Sequence, residues 1–201
     1  MKTKKNEFKL GRFKLFGVAI LFLFGFLSGI AYASGSLQLT NLRTEYKTNP
    51  VGIDIMQPRL SWEIITSERN FMQTAYQIQA ADNENDLKEN KNLLWDSGKI
   101  QSDQSNQVVY KGPDLKSGQR IYWQGKIWGN KRETSSWSSP AFWEMGLLNV
   151  SDWKAEWIEP GIKEDLKKLN PCPMLRHEFE IEKEVKSARA YVTSRGLYEC
   201  H

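Results

Sequence analysis

Four acidic residues lie close together in the sequence, and paired carboxylates are a common means of general acid–base catalysis. They are Asp82, Glu84, Asp86 and Glu89. The stretch that carries them is polar, whereas an acid–base pair needs burial to separate the pKa values of its two carboxyl groups. We interpret the cluster as a solvated face and assign no catalytic residue to this chain.

The histidines and cysteines do not form a metal-binding or nucleophilic pattern. His177 and His201 each lack a second ligand at metal-binding spacing. Cys172 and Cys200 form neither a C-x-x-C motif nor a Cys/His arrangement. We therefore predict no metal site and no cofactor. In an oxidising compartment the two cysteines could form a disulfide, and two free thiols are the alternative.

A serine at a turn is the remaining candidate nucleophile. Ser97 lies in the sequence Asp96-Ser97-Gly98, which lacks the flanking residues of a nucleophile elbow. We interpret this segment as a turn in which the Asp96 carboxylate accepts hydrogen bonds from nearby backbone N–H groups.

Tryptophan has the density expected of a β core or of a binding surface. All eight Trp lie between Trp62 and Trp157. Their rings either fill a core or stack on the faces of pyranose sugars, and core packing is the better explanation for most of them. The candidates for contact with sugar are Trp128, Trp137 and Trp143.

The stretch from Arg120 to Trp143 predicts a β-hairpin, because its first half alternates between two faces. One face carries Ile121, Trp123 and Ile127, and the other carries Tyr122, Gln124 and Lys126. Gly129-Asn130-Lys131 supplies the turn. Gly125 weakens the strand prediction unless it marks a bulge.

A hairpin is not stable alone, so the preceding chain must cover its apolar face. Further strands are predicted at 36–46, 58–64, 75–80, 93–95 and 107–110, with Trp62 on the core face and a loop or short helix around Leu87. About seven short strands with almost no helical periodicity predict an all-β fold. We expect a fibronectin III or immunoglobulin-like β-sandwich over residues 34–150.

The first 33 residues have the composition of a signal peptide. A basic region ends at Lys14, an uncharged apolar run spans 15–33, and Ala31-Tyr32-Ala33 is an A-x-A site. We predict cleavage between Ala33 and Ser34 and export to the periplasm or the cell exterior. An uncleaved anchor is the alternative, because the run is nearly long enough to span a membrane.

Outside this leader the chain is close to neutral. The first fourteen residues contain six basic side chains and Glu7 alone, whereas the whole chain has a net charge of +4. A near-neutral body lacks the basic surface that nucleic-acid binding requires, so we predict no nucleic-acid partner and contact with membrane only through the leader.

The pattern changes after Gly146. Residues 152–158 form a short segment with spaced apolar residues, and 161–170 are polar. Strands are then predicted at 175–181 and 188–194. We expect a second β-sandwich module to begin near Ser151 and to be truncated at the end of this sequence.

The ordered motifs of the chain resemble the N-terminal region of bacterial α-L-rhamnosidases of glycoside hydrolase family 78. The motifs are Trp62, FMQTAYQI (71–78), LWDSGK (94–99), YW (122–123), SSWS (135–138), DWKAEWI (152–158), PMLRHEF (173–179) and ARAYVTSRGLYE (188–199). The resemblance implies that residues 151–201 begin the next, lectin-like β-sandwich of that family.

The resemblance also implies a parent enzyme that removes terminal α-L-rhamnose from glycosides or plant polysaccharides by inverting hydrolysis, in an (α/α)6 catalytic barrel absent from this chain. No catalytic residue of the family has a matching position here. Carbohydrate, met through the parent enzyme, is the implied partner. Two alternatives stay open: a stand-alone secreted carbohydrate-binding or interaction module, and a membrane-anchored interaction domain.

Overall fold

A computed structural model describes residues 37–162, 165, 167–169 and 172–200. The chain divides into two compact units, the first ending at Trp153 and the second beginning at Lys154. The predicted signal peptide, with its cleavage site between Ala33 and Ser34, lies outside the described residues. Among the residues described, the structure contains no helix of the length and apolarity needed to cross a membrane.

The first unit is a β-sandwich with one short helix, as predicted, and its strands pair antiparallel except β2 with β9. Its elements are β1 (Gln38–Thr44), β2 (Val51–Ile53), β3 (Arg59–Ile65), β4 (Gln73–Ala81), α1 (Glu84–Glu89), β5 (Trp95–Asp96), β6 (Ile100–Gln101), β7 (Val108–Val109), β8 (Arg120–Gly129) and β9 (Ala141–Met145). A 3-10 turn follows at Val150–Asp152. The first sheet has the order β1-β3-β7, and the second has the order β2-β9-β8-β4-β5 with β6 also paired to β4.

Two of these strands were not expected from the sequence. β2 and β6 have three and two residues, which is too short for a period-two pattern to show. β2 lies in a segment where Asn49 and Gly52 adopt positive φ, and it pairs in parallel with β9. Its partner is far along the chain, so no local signal indicates the pairing.

The inward faces of the two sheets form the core. Trp62 on β3 is 4% exposed, and Trp123 and Trp143 on the second sheet are fully buried. Ile121 and Ile127 are also completely buried, which confirms the apolar face predicted for the hairpin. The Trp62 indole N–H donates to Gln73 Oε1 at 3.1 Å. Burial of several large aromatic side chains supplies much of the stabilisation of such a fold.

The opposite face of β8 is partly covered rather than exposed along its whole length. Gln124 is 5% exposed because α1 lies over this part of the sheet and inserts Leu87, which is 1% exposed. The Gln124 side-chain amide donates to Gln79 Oε1 at 3.1 Å, so its burial leaves it hydrogen-bonded. Alternation along the strand places Gln124 on this outer face but does not show which elements cover it.

Gly125 does not mark a bulge. β4 and β8 keep one register across it, with Ile78 opposite Gly125. A Cβ atom at this position would lie 2.9 Å from Leu39 Cδ2, which reaches across from the first sheet. Glycine is required here by the close approach of the two sheets rather than by the backbone conformation.

The second unit contains no strand or helix in its described residues. The segments 175–181 and 188–194, predicted as strands, have no ladder of backbone hydrogen bonds. Their apolar side chains are open to solvent, with Phe179 72% and Ile181 58% exposed. The two strand predictions differ from the structure because a strand needs a neighbour, and the described residues of this unit supply none.

Candidate functional site

The three tryptophans predicted to contact sugar occupy two different environments. Trp143 is fully buried, and its ring packs edge-on against Tyr110 with centroids 5.5 Å apart. It offers no surface to a ligand, so the prediction is wrong for this residue. Trp128 and Trp137 are both half-buried. They lie on the hairpin, and β8 alternation places Trp128 on the side of the second sheet away from the core.

Two lysines accompany these half-buried rings. Lys126 precedes Trp128 by two residues and therefore projects from the same face of β8. Its Nζ lies 5.6 Å from the ring centroid of Trp128 and 5.9 Å from that of Trp137. Lys99 reaches Trp128 from the chain between β5 and β6, with Nζ 4.4 Å from the ring centroid. We refer to Lys99, Lys126, Trp128 and Trp137 as the cationic aromatic surface.

Two serines fix the position of Trp137. The backbone N–H groups of Ser135 and Ser138 donate to the carbonyls of Ile127 and Gly125 at 3.0 and 2.9 Å. The hydroxyl oxygens of the same serines accept from Ile127 N at 3.0 Å and Gly125 N at 3.1 Å. The return arm of the hairpin is thus held against β8 on both sides of Trp137. The SSWS motif therefore positions an aromatic side chain beside the lysine.

Sequence reasoning missed both lysines of this surface. Lys126 shares the period-two phase of Trp128, so the alternation contained a usable signal. Lys99 lies 29 positions before Trp128 in the printed sequence, on a different part of the sheet. Its approach to the ring depends on the pairing of β6 and β8 with opposite edges of β4, which no local pattern shows.

The carboxylate of Asp96, on the second sheet, serves as a hydrogen-bond acceptor. Its oxygens accept hydrogen bonds from Gln77 Nε2 at 2.8 Å, Gln79 Nε2 at 2.9 Å and Gly98 N at 2.8 Å. Partial burial acts to raise the pKa of Asp96, but these hydrogen bonds outweigh it and hold the pKa below its usual value. The bond from Gly98 confirms the turn predicted for Asp96-Ser97-Gly98.

The acidic cluster lies at helix α1 and takes part in local contacts. The Asn83 side chain caps the helix by accepting from Asp86 N at 2.9 Å. Glu84 pairs with Lys88 at 2.6 Å, and Glu89 pairs with Lys91 at 2.9 Å. Asp82 accepts from Gln119 Nε2 at 2.7 Å. These contacts stabilise a short helix and do not assemble two carboxylates around a reacting group.

The remaining candidate ligands lie in the second unit. The ring of His177 stacks on Phe179 with centroids 6.1 Å apart. Cys172 and Cys200 are exposed and unpaired in the structure. Within the described part of the chain no group of three or more His, Cys, Asp or Glu side chains could hold a metal ion. His201 lies outside the described residues.

The sandwich matches a known class of domain. The family described as "Rha78A-like, N-terminal immunoglobulin domain" matches residues 39–149. This range includes every strand of the sandwich from the second residue of β1 onward, and the chain belongs to this family. The region is therefore the non-catalytic, N-terminal immunoglobulin domain of an α-L-rhamnosidase-like protein.

Named relatives agree with this assignment. An α-L-rhamnosidase of Formosa agariphila is 40% identical over 157 residues, which cover 75% of this chain and 17% of the relative. One from Alteromonas sp. is 38% identical over 161 residues, covering 76% of this chain and 17% of the relative. The chain thus spans about a sixth of the length of the curated relatives it matches.

Solved structures show the same fold. The Streptomyces avermitilis α-L-rhamnosidase complexed with L-rhamnose superposes with a TM-score of 0.59 and 39% identity, over 62% of this chain and 12% of that one. The α-L-rhamnosidase from Dictyoglumus thermophilum superposes with a TM-score of 0.58 and 33% identity, over 61% of this chain and 14% of that one.

Proposed function

We propose that this chain is the N-terminal, non-catalytic part of an exported α-L-rhamnosidase-like glycoside hydrolase, and that its sandwich serves as a scaffold beside a catalytic domain. The match of residues 39–149 to the N-terminal immunoglobulin domain of this family carries the proposal. The parent reaction would be inverting hydrolysis of terminal α-L-rhamnose from glycosides or plant polysaccharides. Rhamnose-containing glycans would be met through the parent enzyme.

The chemistry of the sandwich supports a scaffold role. Inverting hydrolysis requires an acid and a base carboxylate that are separated enough to admit water. The least exposed carboxylates of the first unit are instead held by arginines: Glu45 pairs with Arg59 at 2.5 Å and Glu144 with Arg120 at 2.8 Å. For Glu45 the side-chain hydrogen bond from Arg59 lowers the pKa, which keeps this group ionised and unsuited to donate a proton.

A turnover assay tests the absence of catalysis in this region. Purified Ser34–His201 would be incubated with an aryl α-L-rhamnoside, and we expect no release of the aryl group above the buffer rate. Release that co-purifies with the protein and scales with its concentration would contradict the proposal.

We further propose that residues 151–201 begin the next, lectin-like module of such an enzyme. One relative is 31% identical over 183 residues, a longer stretch than the 39–149 match to the immunoglobulin domain. The genomic sequence downstream of the His201 codon tests this directly. We expect an in-frame or frameshifted continuation that encodes the remaining strands of the module, and unrelated sequence there would contradict it.

Export follows from the proposed signal peptide. The basic region, the apolar run and Ala31-Tyr32-Ala33 support cleavage after Ala33. The intact mass of the exported protein should correspond to a chain that begins at Ser34. Recovery of the full-length chain in the membrane fraction would support the uncleaved anchor instead.

The second candidate function is a stand-alone carbohydrate-binding module. Trp128 and Trp137 favour it, since two half-buried rings that both lie within 6 Å of the Lys126 ammonium are suited to stack on sugar faces. A soluble glycan that binds the isolated chain would support this role, and the downstream genomic sequence would decide whether the module is part of a longer enzyme.

A further inference from the structure

The cationic aromatic surface carries positive charge that the protein itself does not neutralise. Lys88, Lys91 and Lys131 each form a salt bridge with a glutamate. Lys99 and Lys126 have no carboxylate partner among the described residues, and their ammonium groups lie over tryptophan rings instead. Two cations are therefore held against the same Trp128 ring on the outer face of the second sheet.

Asp96 does not supply the carboxylate partner that Lys99 and Lys126 lack. Gln77 lies opposite Lys126 in the β4–β8 pair, but its amide donates to Asp96 Oδ1 at 2.8 Å. Asp96 is further occupied by Gln79 and by Gly98 N. Three neutral donors thus orient the Asp96 carboxylate toward the turn and the β4 amides, and it forms no ion pair with Lys99 or Lys126.

The lysines can leave the rings at small cost. Lys99 is exposed and Lys126 is half-buried. A cation over an aromatic ring at such a site contributes about 0.5–1 kcal/mol. An anionic group that attracts the ammonium groups offers a stronger, charge-assisted contact. Movement of the lysines toward that anion would uncover the ring faces of Trp128 and Trp137.

We propose that the cationic aromatic surface binds an acidic glycan, with Lys99 and Lys126 contacting carboxylate or sulfate groups and the two tryptophan rings stacking on the sugar faces. Charge complementarity and ring geometry together favour this ligand, because a neutral glycan offers the two ammonium groups no opposite charge. An acidic protein segment would use the lysines but not the broad ring faces. The preference for a glycan over an acidic protein rests on the function proposed above.

A binding measurement with matched polysaccharides tests this inference. The protein would be purified from cells that express all 201 residues and analysed by affinity electrophoresis. The gels would contain polygalacturonate, a neutral galactan, or poly-glutamate. We expect retardation by polygalacturonate, little by galactan, and weakening of the effect as the salt concentration rises.

Three variants separate specific binding from general attraction of charge. Removal of one surface charge contact changes binding by up to about fivefold, so Lys99→Gln/Lys126→Gln should weaken polygalacturonate binding by up to about 25-fold. Lys111→Gln removes an exposed lysine elsewhere and should have little effect. Trp137→Ala should weaken binding by about tenfold through the loss of stacking.

The outcomes either support or overturn the proposal. Equal retardation by polygalacturonate and galactan, or an unchanged response of the double lysine variant, would overturn it. Retardation by poly-glutamate that equals that by polygalacturonate and is unaffected by Trp137→Ala would assign the surface to an acidic protein. Because the two lysine substitutions are on the surface, their result stands even if Trp137→Ala fails to fold.

The binding result and the proposed function can fail separately. Affinity electrophoresis measures no turnover, so loss of acidic-glycan binding leaves the assignment to the rhamnosidase-like family intact. Conversely, unrelated genomic sequence after His201 would remove the parent enzyme while leaving any measured binding in place.

Discussion

The sandwich and the segment after Lys154 contain similar alternating patterns but differ in what covers them. Trp62 and Ile121 in the sandwich are 4% and 0% exposed, whereas Phe179 and Ile181 in the second unit are 72% and 58% exposed. Both regions have apolar residues at strand spacing. The difference shows that alternating apolar residues only create a face that can pack. Whether that face is buried depends on the presence of a partner sheet.

Substitution of a large aromatic residue should give the greatest contrast between the two regions. Trp62→Ala empties a buried site and also leaves Gln73 Oε1 without its indole donor, so we expect a loss of about 3–5 kcal/mol in the free energy of unfolding. Phe179→Ala in the second unit is the matched control and should change it by less than about 1 kcal/mol. Urea denaturation measures both, and similar values for the two variants would abolish the distinction.

Loss of the ion pair between Glu45 and Arg59 in the sandwich should lower the stability by less than Trp62→Ala does, and the loss should depend on pH. Glu45 accepts from Arg59 N at 2.6 Å and from its guanidinium. The side-chain hydrogen bond to Arg59 is the main influence on the carboxyl of Glu45, and it outweighs burial to lower the pKa. Glu45→Gln should cost about 1–2 kcal/mol near neutral pH, since solvent reaches Arg59 and screens the pair.

The pH dependence of this effect has a definite sign. Because the pKa of Glu45 is lower in the folded state, its stabilisation is complete above the unfolded-state pKa and is lost as the pH falls through the folded-state pKa. Glu45→Gln should therefore flatten the acid side of the stability profile as the pH falls through 4.5, the ordinary pKa of the carboxyl, and below it. Glu156→Gln in the second unit is the control. An equal flattening of the profile by this variant would contradict the assignment of the effect to the Glu45–Arg59 pair.

The helix cap should give the smallest of the three effects. Asn83 Oδ1 accepts from Asp86 N at 2.9 Å, so Asn83→Ala removes the cap of α1 and should cost about 1 kcal/mol. Asn85→Ala lies in the same helix without a capping role, and a change within about 0.5 kcal/mol is expected. Thermal unfolding of the two variants compares them, and an equal cost would show that the cap does not stabilise the helix.

The sequence predicted the elements whose pattern is long enough to repeat. β1, β3, β4 and β8 have seven to ten residues and were all predicted within a few residues of their observed bounds. Of the short strands, β5 and β7 fall at predicted positions, whereas β2 and β6 depend on distant pairing and were not predicted. The burial of Gln124 was missed because it depends on where α1 lies in space.

The candidate site, like the fold, was predicted from the sequence only in part. The aromatic composition identified Trp128 and Trp137 but did not separate them from Trp143, which packs in the core. Trp143 lies opposite Ile121 in the β8–β9 pair, and opposite residues share a face, so the pairing would have placed it inward. Lys99 joins the surface only through the folded sheet.

Backbone amide hydrogen exchange tests the contrast between the two regions most directly. Amides of Ile121–Ile127 lie in the central strand of the larger sheet, between β4 and the return arm of the hairpin. We predict that they exchange only on global unfolding, whereas amides of Ala188–Ser194 exchange at close to the rate of an unfolded chain. Equal protection of the two segments would show that residues after Lys154 fold as a complete module and would contradict this account.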